Sequence, residues 1–221
     1  MTLVGYWPLN ENSGTTAYDH SGNENHGTVN GDVSPGSPGI LNGYSYSFDG
    51  SGDYVNASDR SYLRPQRFTV TAWFKTSGIT GWSAIYGKEY WNNNEGWVIY
   101  MGAQGNGYIH FNGPQFSTLS TSQQYDDGNW HHLTVTYDNS TAKIYIDGSQ
   151  KTEGNRSFNN STISLNIGSR HSNDGTTSGN DSWNGQLTEA RIYNRPLTER
   201  EIQYLYNVGK RGLQTTSKKS S

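Results

Sequence analysis

Apolar residues recur at every second position over many short stretches of this chain. Tyr44, Tyr46 and Phe48 alternate with Ser45 and Ser47, and Phe68, Val70, Ala72 and Phe74 alternate with Thr69, Thr71, Trp73 and Lys75. Leu133, Val135 and Tyr137 alternate with Thr134 and Thr136; Ile144 and Ile146 flank Tyr145, and Ile163, Leu165 and Ile167 repeat the theme. A period of two predicts strands that bury one face and wet the other, which is the mark of antiparallel sheets. Turn formers separate them, as in Asn10-Glu11-Asn12-Ser13-Gly14, Asp49-Gly50-Ser51-Gly52-Asp53 and Asp147-Gly148. The runs Leu133–Tyr137 and Lys143–Ile146 read as a hairpin. Two segments, Ser77–Glu95 and Ser169–Ser182, show no such pattern and are expected to be long polar loops, which in a compact domain are functional or mobile.

The pattern changes once, near the C-terminus. A strand running from Trp183 turns at Pro196 into a segment with helical spacing. Thr198 is placed to act as N-cap with Glu201 three residues on, a capping box, while Leu197 and Ile202 fall where a hydrophobic staple closes. Ile202, Leu205 and Tyr206 make one apolar face and Gly209 supplies a stop, so a helix is expected near 198–208 behind β-structure over 3–195. Residues 210–221 hold four cations (Lys210, Arg211, Lys218 and Lys219) and no anion. They read as a solvated tail or as a basic tether to an anionic protein partner. The expected organisation is one domain over 1–209 and a basic polar tail over 210–221.

Composition narrows the class. Only 31% of the 221 residues are hydrophobic and mean hydropathy is −0.86, yet 13% are aromatic, including 16 Tyr and 7 Trp. Disordered chains are poor in aromatics and β-branched residues, so disorder is excluded. A net charge of −3 leaves no electrostatic footprint for nucleic acid. No apolar run nears the roughly 20 residues of a membrane-spanning helix, so membrane insertion is not expected. The absence of cysteine excludes disulfides, thiol catalysis and thiolate metal sites. The opening Met-Thr-Leu-Val-Gly-Tyr-Trp is not a signal peptide, which implies either a signal already removed or release as part of a larger particle. Six Asn-x-Ser/Thr sequons add nothing, because 23 Asn among 47 Ser and Thr give roughly that many by chance.

Eight motifs then appear in a fixed order. They include Tyr6-Trp7-Pro8-Leu9-Asn10-Glu11, Asp19-His20-Ser21-Gly22-Asn23 and Phe48-Asp49-Gly50-Ser51-Gly52-Asp53-Tyr54-Val55. Phe68-Thr69-Val70-Thr71-Ala72-Trp73-Phe74 and Asp127-Gly128-Asn129-Trp130-His131-His132-Leu133 follow. Lys143-Ile144-Tyr145-Ile146-Asp147-Gly148, Leu165-Asn166-Ile167-Gly168 and the C-terminal segment complete the set. Over about residues 3–209 the chain resembles the laminin G-like jelly-roll domains of the concanavalin A-like lectin/glucanase superfamily. That resemblance implies a two-sheet antiparallel jelly-roll sandwich with one short C-terminal helix. It implies function loosely, because the fold carries lectins, adhesion modules and hydrolases alike.

The candidate chemistry is mostly recognition. Hydrolases on this fold place paired carboxylates in a Glu-x-Asp-x-x-Glu strand, with acid and nucleophile roughly 5 Å apart. No such run occurs; Glu89 and Glu95 are six apart with Trp91 and three Asn between, and Tyr108-Ile109-His110 is only a fragment of a lyase motif. His131 and His132 are adjacent and point to opposite faces of a strand, so they cannot share a metal. The loop from Asp19 to Asn25 packs the hard oxygens that Ca2+ prefers. The resemblance implies that Asp19, with Asn23 and Asn25, meets an acidic residue of the last strand at a structural calcium ion. Here that residue is Glu189, where the family more often has Asp. The alternative is an Asx turn in which Asp19 satisfies its own backbone; Asp49 and Asp53 form a weaker second candidate. Sugars stack on aromatics and bond to planar amides and carboxylates. The first polar segment supplies Trp82, Tyr90, Trp91, Asn92 and Asn93, and the second supplies Arg170, His171, Asn173, Asp174 and Asp181. Trp7, Trp73, Trp130 and Trp183 lie within the recurring motifs and belong to the core. Trp82 and Trp91 either bind ligand or plug their loop onto the sandwich. The expected function is a non-catalytic glycan- or surface-ligand-binding module outside the cell. The alternative is a structural, decoration or receptor-binding component of a virion or other extracellular assembly, and a lesser alternative is a polysaccharide-active enzyme.

Overall fold

The computed structural model describes residues 3–40, 43–79, 81–102, 106–114, 116–176, 179 and 181–217. Sixteen strands run through them: β1 (Leu3–Trp7), β2 (Thr16–Ala17), β3 (Gly27–Asn30), β4 (Ser34–Pro38), β5 (Tyr44–Asp49), β6 (Tyr54–Ala57), β7 (Phe68–Ser77) and β8 (Ser83–Tyr90) come first. They are followed by β9 (Glu95–Met101), β10 (Tyr108–Gly113), β11 (Phe116–Gln124), β12 (Asp127–Tyr137), β13 (Thr141–Ile146), β14 (Ser149–Asn155), β15 (Leu165–Ile167) and β16 (Asn184–Tyr193), and then by helix α1 (Glu199–Ser217). Every pairing between these strands is antiparallel, and they form two sheets of eight. One sheet has the order β14-β13-β12-β7-β16-β5-β4 with β1 also on β16; the other is β11-β10-β9-β8-β15-β6-β3-β2. The jelly-roll sandwich is therefore the observed architecture, and the β12–β13 hairpin pairs Leu133 with Ile146 and Val135 with Ile144.

The alternating strands explain the core. Val70, Ala72 and Phe74 of β7 join Leu133 and Val135 of β12 and Ile85, Ile99 and Phe111 of the facing sheet in one buried cluster. Each fully buried side chain of this kind contributes about 1.5–3 kcal/mol. Trp7, Trp73 and Trp183 are fully buried. Trp130 is only half-buried, contrary to expectation, because β12 is irregular between Asp127 and Trp130 and its regular pairing starts there.

Two expectations fail. Ser77–Glu95 is not a loop, since β8 takes up its middle and lies inside a sheet between β9 and β15. A bulge between Ala84 and Tyr86 turns both Ile85 and Tyr86 to the core, which erases the alternation that would have announced the strand. The helix also runs on past Gly209 to Ser217, so residues 210–217 are helical rather than tail; Lys218 and Lys219 lie outside the described residues. Gly209 is not a stop. A Cβ there would sit 2.4 Å from the Trp73 ring, so glycine lets the helix lie directly on the sheet. The predicted start is as expected: Thr198 N–H donates to Glu201 Oε2 at 2.9 Å, Glu201 N–H returns to Thr198 Oγ1 at 3.4 Å, and Leu197 and Ile202 share one cluster. Tyr206 stacks on Trp73 at 5.8 Å, so α1 covers the outer face of its sheet.

Candidate functional site

The other sheet has an outer face of a different kind. Ala84, Val98 and Tyr100, on β8 and β9, form a small buried cluster separate from the core. Register then carries the face outward, with Tyr100 opposite both Ala84 and His110, and Val98 opposite both Gly87 and Asn112. Trp82, just before β8, stacks on Tyr100 at 4.5 Å, and Tyr100 stacks on His110 at 4.9 Å. Segment 168–171 crosses over this face at Gly87, where a Cβ would meet Ser169 O at 2.5 Å and Arg170 Cα at 2.6 Å. That crossing lays Arg170 beside Glu89. Two backbone bonds hold the assembly: Ala84 N–H donates to Asp181 O and Asn92 N–H to Asn173 O, both at 2.8 Å.

The result is a cleft of about 170 Å³ lined by Trp82, Glu89, Trp91, Val98, Asn112, Arg170 and Asn173. Trp82 and Trp91 are 43% and 38% exposed, unlike the other buried or half-buried indoles. Glu89 is 1% exposed and neither of its carboxylate oxygens accepts a hydrogen bond. Arg170 Nε lies 3.6 Å from Glu89 but 3.0 Å from Asp181, and its Nη2 donates to Asn173 Oδ1 at 2.8 Å. Burial pushes the Glu89 carboxyl up to about 7 against the pull of Arg170, and burial also raises Asp181. Chemically this is two aromatic walls, an amide pair and a desolvated carboxylate.

The two polar segments expected to bind ligand therefore do meet, and of the expected residues Trp82, Trp91, Arg170 and Asn173 line the cleft. Tyr90 is half-buried against Gly175, where φ is +78° and a Cβ would sit 3.0 Å from the Tyr90 ring. Asn92 contributes its backbone to the loop contact, and Asn93 bonds to Glu95. His171 is fully buried and turned away; its Nε2 meets Ser164 O at 3.0 Å, and burial lowers its pKa to about 4. Asp174 is exposed and accepts Thr176 N–H at 3.0 Å as a turn cap.

The expected calcium ligands do not assemble. Asp19 Oδ1 accepts Tyr6 N–H at 2.9 Å and Ser21 N–H at 2.8 Å; its Oδ2 accepts Ser21 Oγ at 2.8 Å and Asn25 N–H at 3.0 Å. That is an Asx turn with both oxygens occupied by donors. Asn23 Nδ2 donates to Val4 O, and Asn25 O accepts the Trp7 indole N–H at 2.9 Å. Glu189 is paired with Arg191 and accepts Tyr6 O–H at 3.0 Å. Among the described residues no three or more His, Asp or Glu gather as a metal site. The residues present do not fit a calcium ion, because donors and a guanidinium occupy the positions a cation needs. Asp53 is likewise taken, by Asp32 N–H and Asp49 N–H.

A laminin G-type family model, described as the concanavalin A-like lectin/glucanases superfamily, matches residues 49–203. The chain belongs to that superfamily. Among curated proteins none matches it. Of solved structures, the binding domain of Paraclostridial Mosquitocidal Protein 1 is similar at a TM-score of 0.73 and 16% identity, over 93% of this chain and 52% of that one. Domain 4 of AbnA, a GH43 extracellular arabinanase from Geobacillus stearothermophilus solved with arabinotriose, is similar at 0.72 and 20%, over 94% and 98%. The botulinum neurotoxin serotype D binding domain is similar at 0.68 and 16%, over 93% and 51%. The chain thus spans about half the length of the two toxin domains and nearly all of the arabinanase domain. At these identities the likeness shows the sandwich fold alone, not a ligand. No helix among the described residues is long and apolar enough to cross a membrane.

Within this superfamily member, sequence reasoning missed Glu89, Val98 and Asn112 as lining residues. Glu89 and Asn112 are isolated polar residues whose neighbours in the cleft come from other strands. One signal pointed there: Gly87, two residues before Glu89, is a glycine inside a strand, which marks a close backbone approach.

Proposed function

We propose that this protein is a non-catalytic recognition module that binds glycans or similar surface ligands outside the cell through the Trp82–Trp91 cleft. The observation that carries this reading is the exposure of two indoles around a desolvated carboxylate, on a sheet face that the loop at 168–171 crosses only at Gly87. Planar aromatic walls take the apolar face of a sugar ring, while Asn112, Asn173 and Glu89 are positioned for its hydroxyls. The arabinanase domain was solved with arabinotriose, and the two toxin domains are described as binding domains; both support a binding role. Titration with a glycan array and with arabinotriose should give saturable binding, with no polysaccharide turnover. Trp91→Ala should weaken binding about tenfold or more and leave the melting temperature nearly unchanged. Unchanged affinity in that variant, or turnover by the purified protein, would overturn the proposal.

A second reading, a component of an extracellular assembly, draws on the opposite side of the molecule. There a groove of about 290 Å³ between α1 and the end of β16 exposes Tyr204 beside Leu197 and Leu205. A concentration-dependent oligomer that Tyr204→Ser dissolves would favour it.

A further inference from the structure

One acid lines the cleft, and it stands without a hydrogen bond. Glu89 lies in the cleft wall, 99% shielded from water, with both oxygens lacking a donor. A buried carboxylate in this condition is costly unless something charged pairs with it. Arg170 is the nearest cation, but it is held elsewhere: its contact with Asp181 is shorter, 3.0 Å against 3.6 Å, and Asn173 fixes its far end. One guanidinium is thus shared between two carboxylates, and the cleft is one positive charge short. Two indoles line it, and an aromatic face of that kind is the surface most favourable to a cation.

Resting on the glycan reading above, we infer that the cleft selects sugars carrying a free amino group, whose ammonium pairs with Glu89 between Trp82 and Trp91. The ammonium supplies donors for the two vacant carboxylate oxygens and cancels the excess negative charge. Its ring presents an apolar face to the indoles. The same arithmetic disfavours uronic, sialic and sulfated sugars, which would add a charge of the wrong sign beside Glu89 and Asp181. Burial pushes the Glu89 carboxyl up to about 7 against the pull of Arg170, and an ammonium beside it would draw that value back down.

The test uses three tetrasaccharide probes: glucosamine, N-acetylglucosamine and a glucuronate-containing oligomer, titrated into the full chain, Glu89→Gln and Trp91→Ala. Expected is about tenfold tighter binding of the glucosamine oligomer than of its acetylated counterpart, with the glucuronate oligomer weakest. Glu89→Gln should bring the first two within about twofold of each other without lowering the melting temperature, since a buried amide costs less than a buried unpaired carboxylate. General attraction to an acidic protein would survive that change, because it removes one of 19 acidic residues. A wild type that binds the acetylated or acidic oligomer as tightly, or a preference untouched by Glu89→Gln, overturns the inference. If neutral oligomers bind and Trp91→Ala removes that binding, the glycan reading stands while the amino preference falls. Binding that Trp91→Ala leaves intact overturns both.

Discussion

The outer faces of the two sheets meet opposite ends. On the helix side, Trp73, His132, Tyr145 and Tyr193 are buried beneath or beside α1, and Gly209 lets the helix backbone rest on the Trp73 ring. On the cleft side, Ala84, Val98 and Tyr100 form only a small patch, and what covers it is one crossing loop at Gly87. Both faces are rich in aromatics. The difference lies in whether the aromatics find partners within the chain: Trp73 meets His132 and Tyr206, whereas Trp82 stacks on Tyr100 and still stands 43% exposed. Aromatic composition therefore announces the class of fold, but closure by an amphipathic helix decides which face is spent on stability and which is left open.

That contrast breaks most visibly at its centre. Trp73→Ala should destabilise the protein by about 3–5 kcal/mol, the usual cost of emptying a buried tryptophan site, measured by denaturant unfolding. Trp91→Ala should cost within about 0.5 kcal/mol, as befits a partly exposed side chain outside the core. Comparable losses from the two would mean that the cleft aromatics belong to the core and that the two faces do the same work.

The same division governs how much was legible in the sequence. β5, β7, β12 and β13 were readable because their core side is apolar and their other side largely Ser and Thr, so alternation survives in the sequence even where, as at Thr69 and Thr71 of β7, both faces are buried. The capping box and staple of α1 were readable because they are local. β8 was not, because its bulge places Ile85 and Tyr86 on one side while Lys88 and Glu89 are both buried. The end of α1 was misread because Gly209 answers to Trp73, 136 residues away in the chain, and not to a turn. The cleft joins residues of β8, β9 and β10 to the loop at 170–173. Only strand order brings them together, and no local pattern encodes strand order. Trp82, Trp91, Arg170 and Asn173 were found by residue type alone; His171 and Asp174 are of the same kinds but lie outside the lining.

A smaller effect separates the two sides of a single strand. His131 packs on Phe74 and Tyr125, with Asp147 and Asp127 at its two ring nitrogens at 2.8 and 3.2 Å; His132, on the opposite side, packs on Trp73 and Tyr206 with neither ring nitrogen bonded. Burial pulls the His131 pKa down, but the carboxylates outweigh it and leave the value raised. Burial drops His132 to about 3 from 6.5, with Arg191 adding to the effect. The signs are opposite. The His131 contribution is complete below about 6.5 and is lost as pH rises through its raised value. The His132 contribution is complete above about 6.5 and is lost as pH falls toward 3, at up to about 1.4 kcal/mol per pH unit. Between pH 6.5 and 5, before most carboxylates titrate, stability should fall, and His132→Phe should flatten that fall while keeping the ring stack. An unchanged slope would show that the helix-side face opens to water around His132.

The smallest effect tests where the cleft ends. Asp174 sits one residue beyond Asn173, yet it is exposed, lies outside the lining and spends an oxygen on Thr176 N–H at 3.0 Å. Asn173 is different, since its carbonyl fixes Asn92 and its side chain holds Arg170. Removing a surface turn cap costs about 0.5–1 kcal/mol at most and leaves the backbone contact of Asn173 in place. Asp174→Ala should therefore change the affinity for any oligosaccharide less than twofold, while Asn173→Ala, by freeing Arg170, should weaken binding several-fold. The pair isolates position from composition, for both are polar residues of one turn. Should Asp174→Ala weaken binding as much as Asn173→Ala, the recognition surface would extend over the loop rim, and the open face would be larger than the cleft that Trp82 and Trp91 enclose.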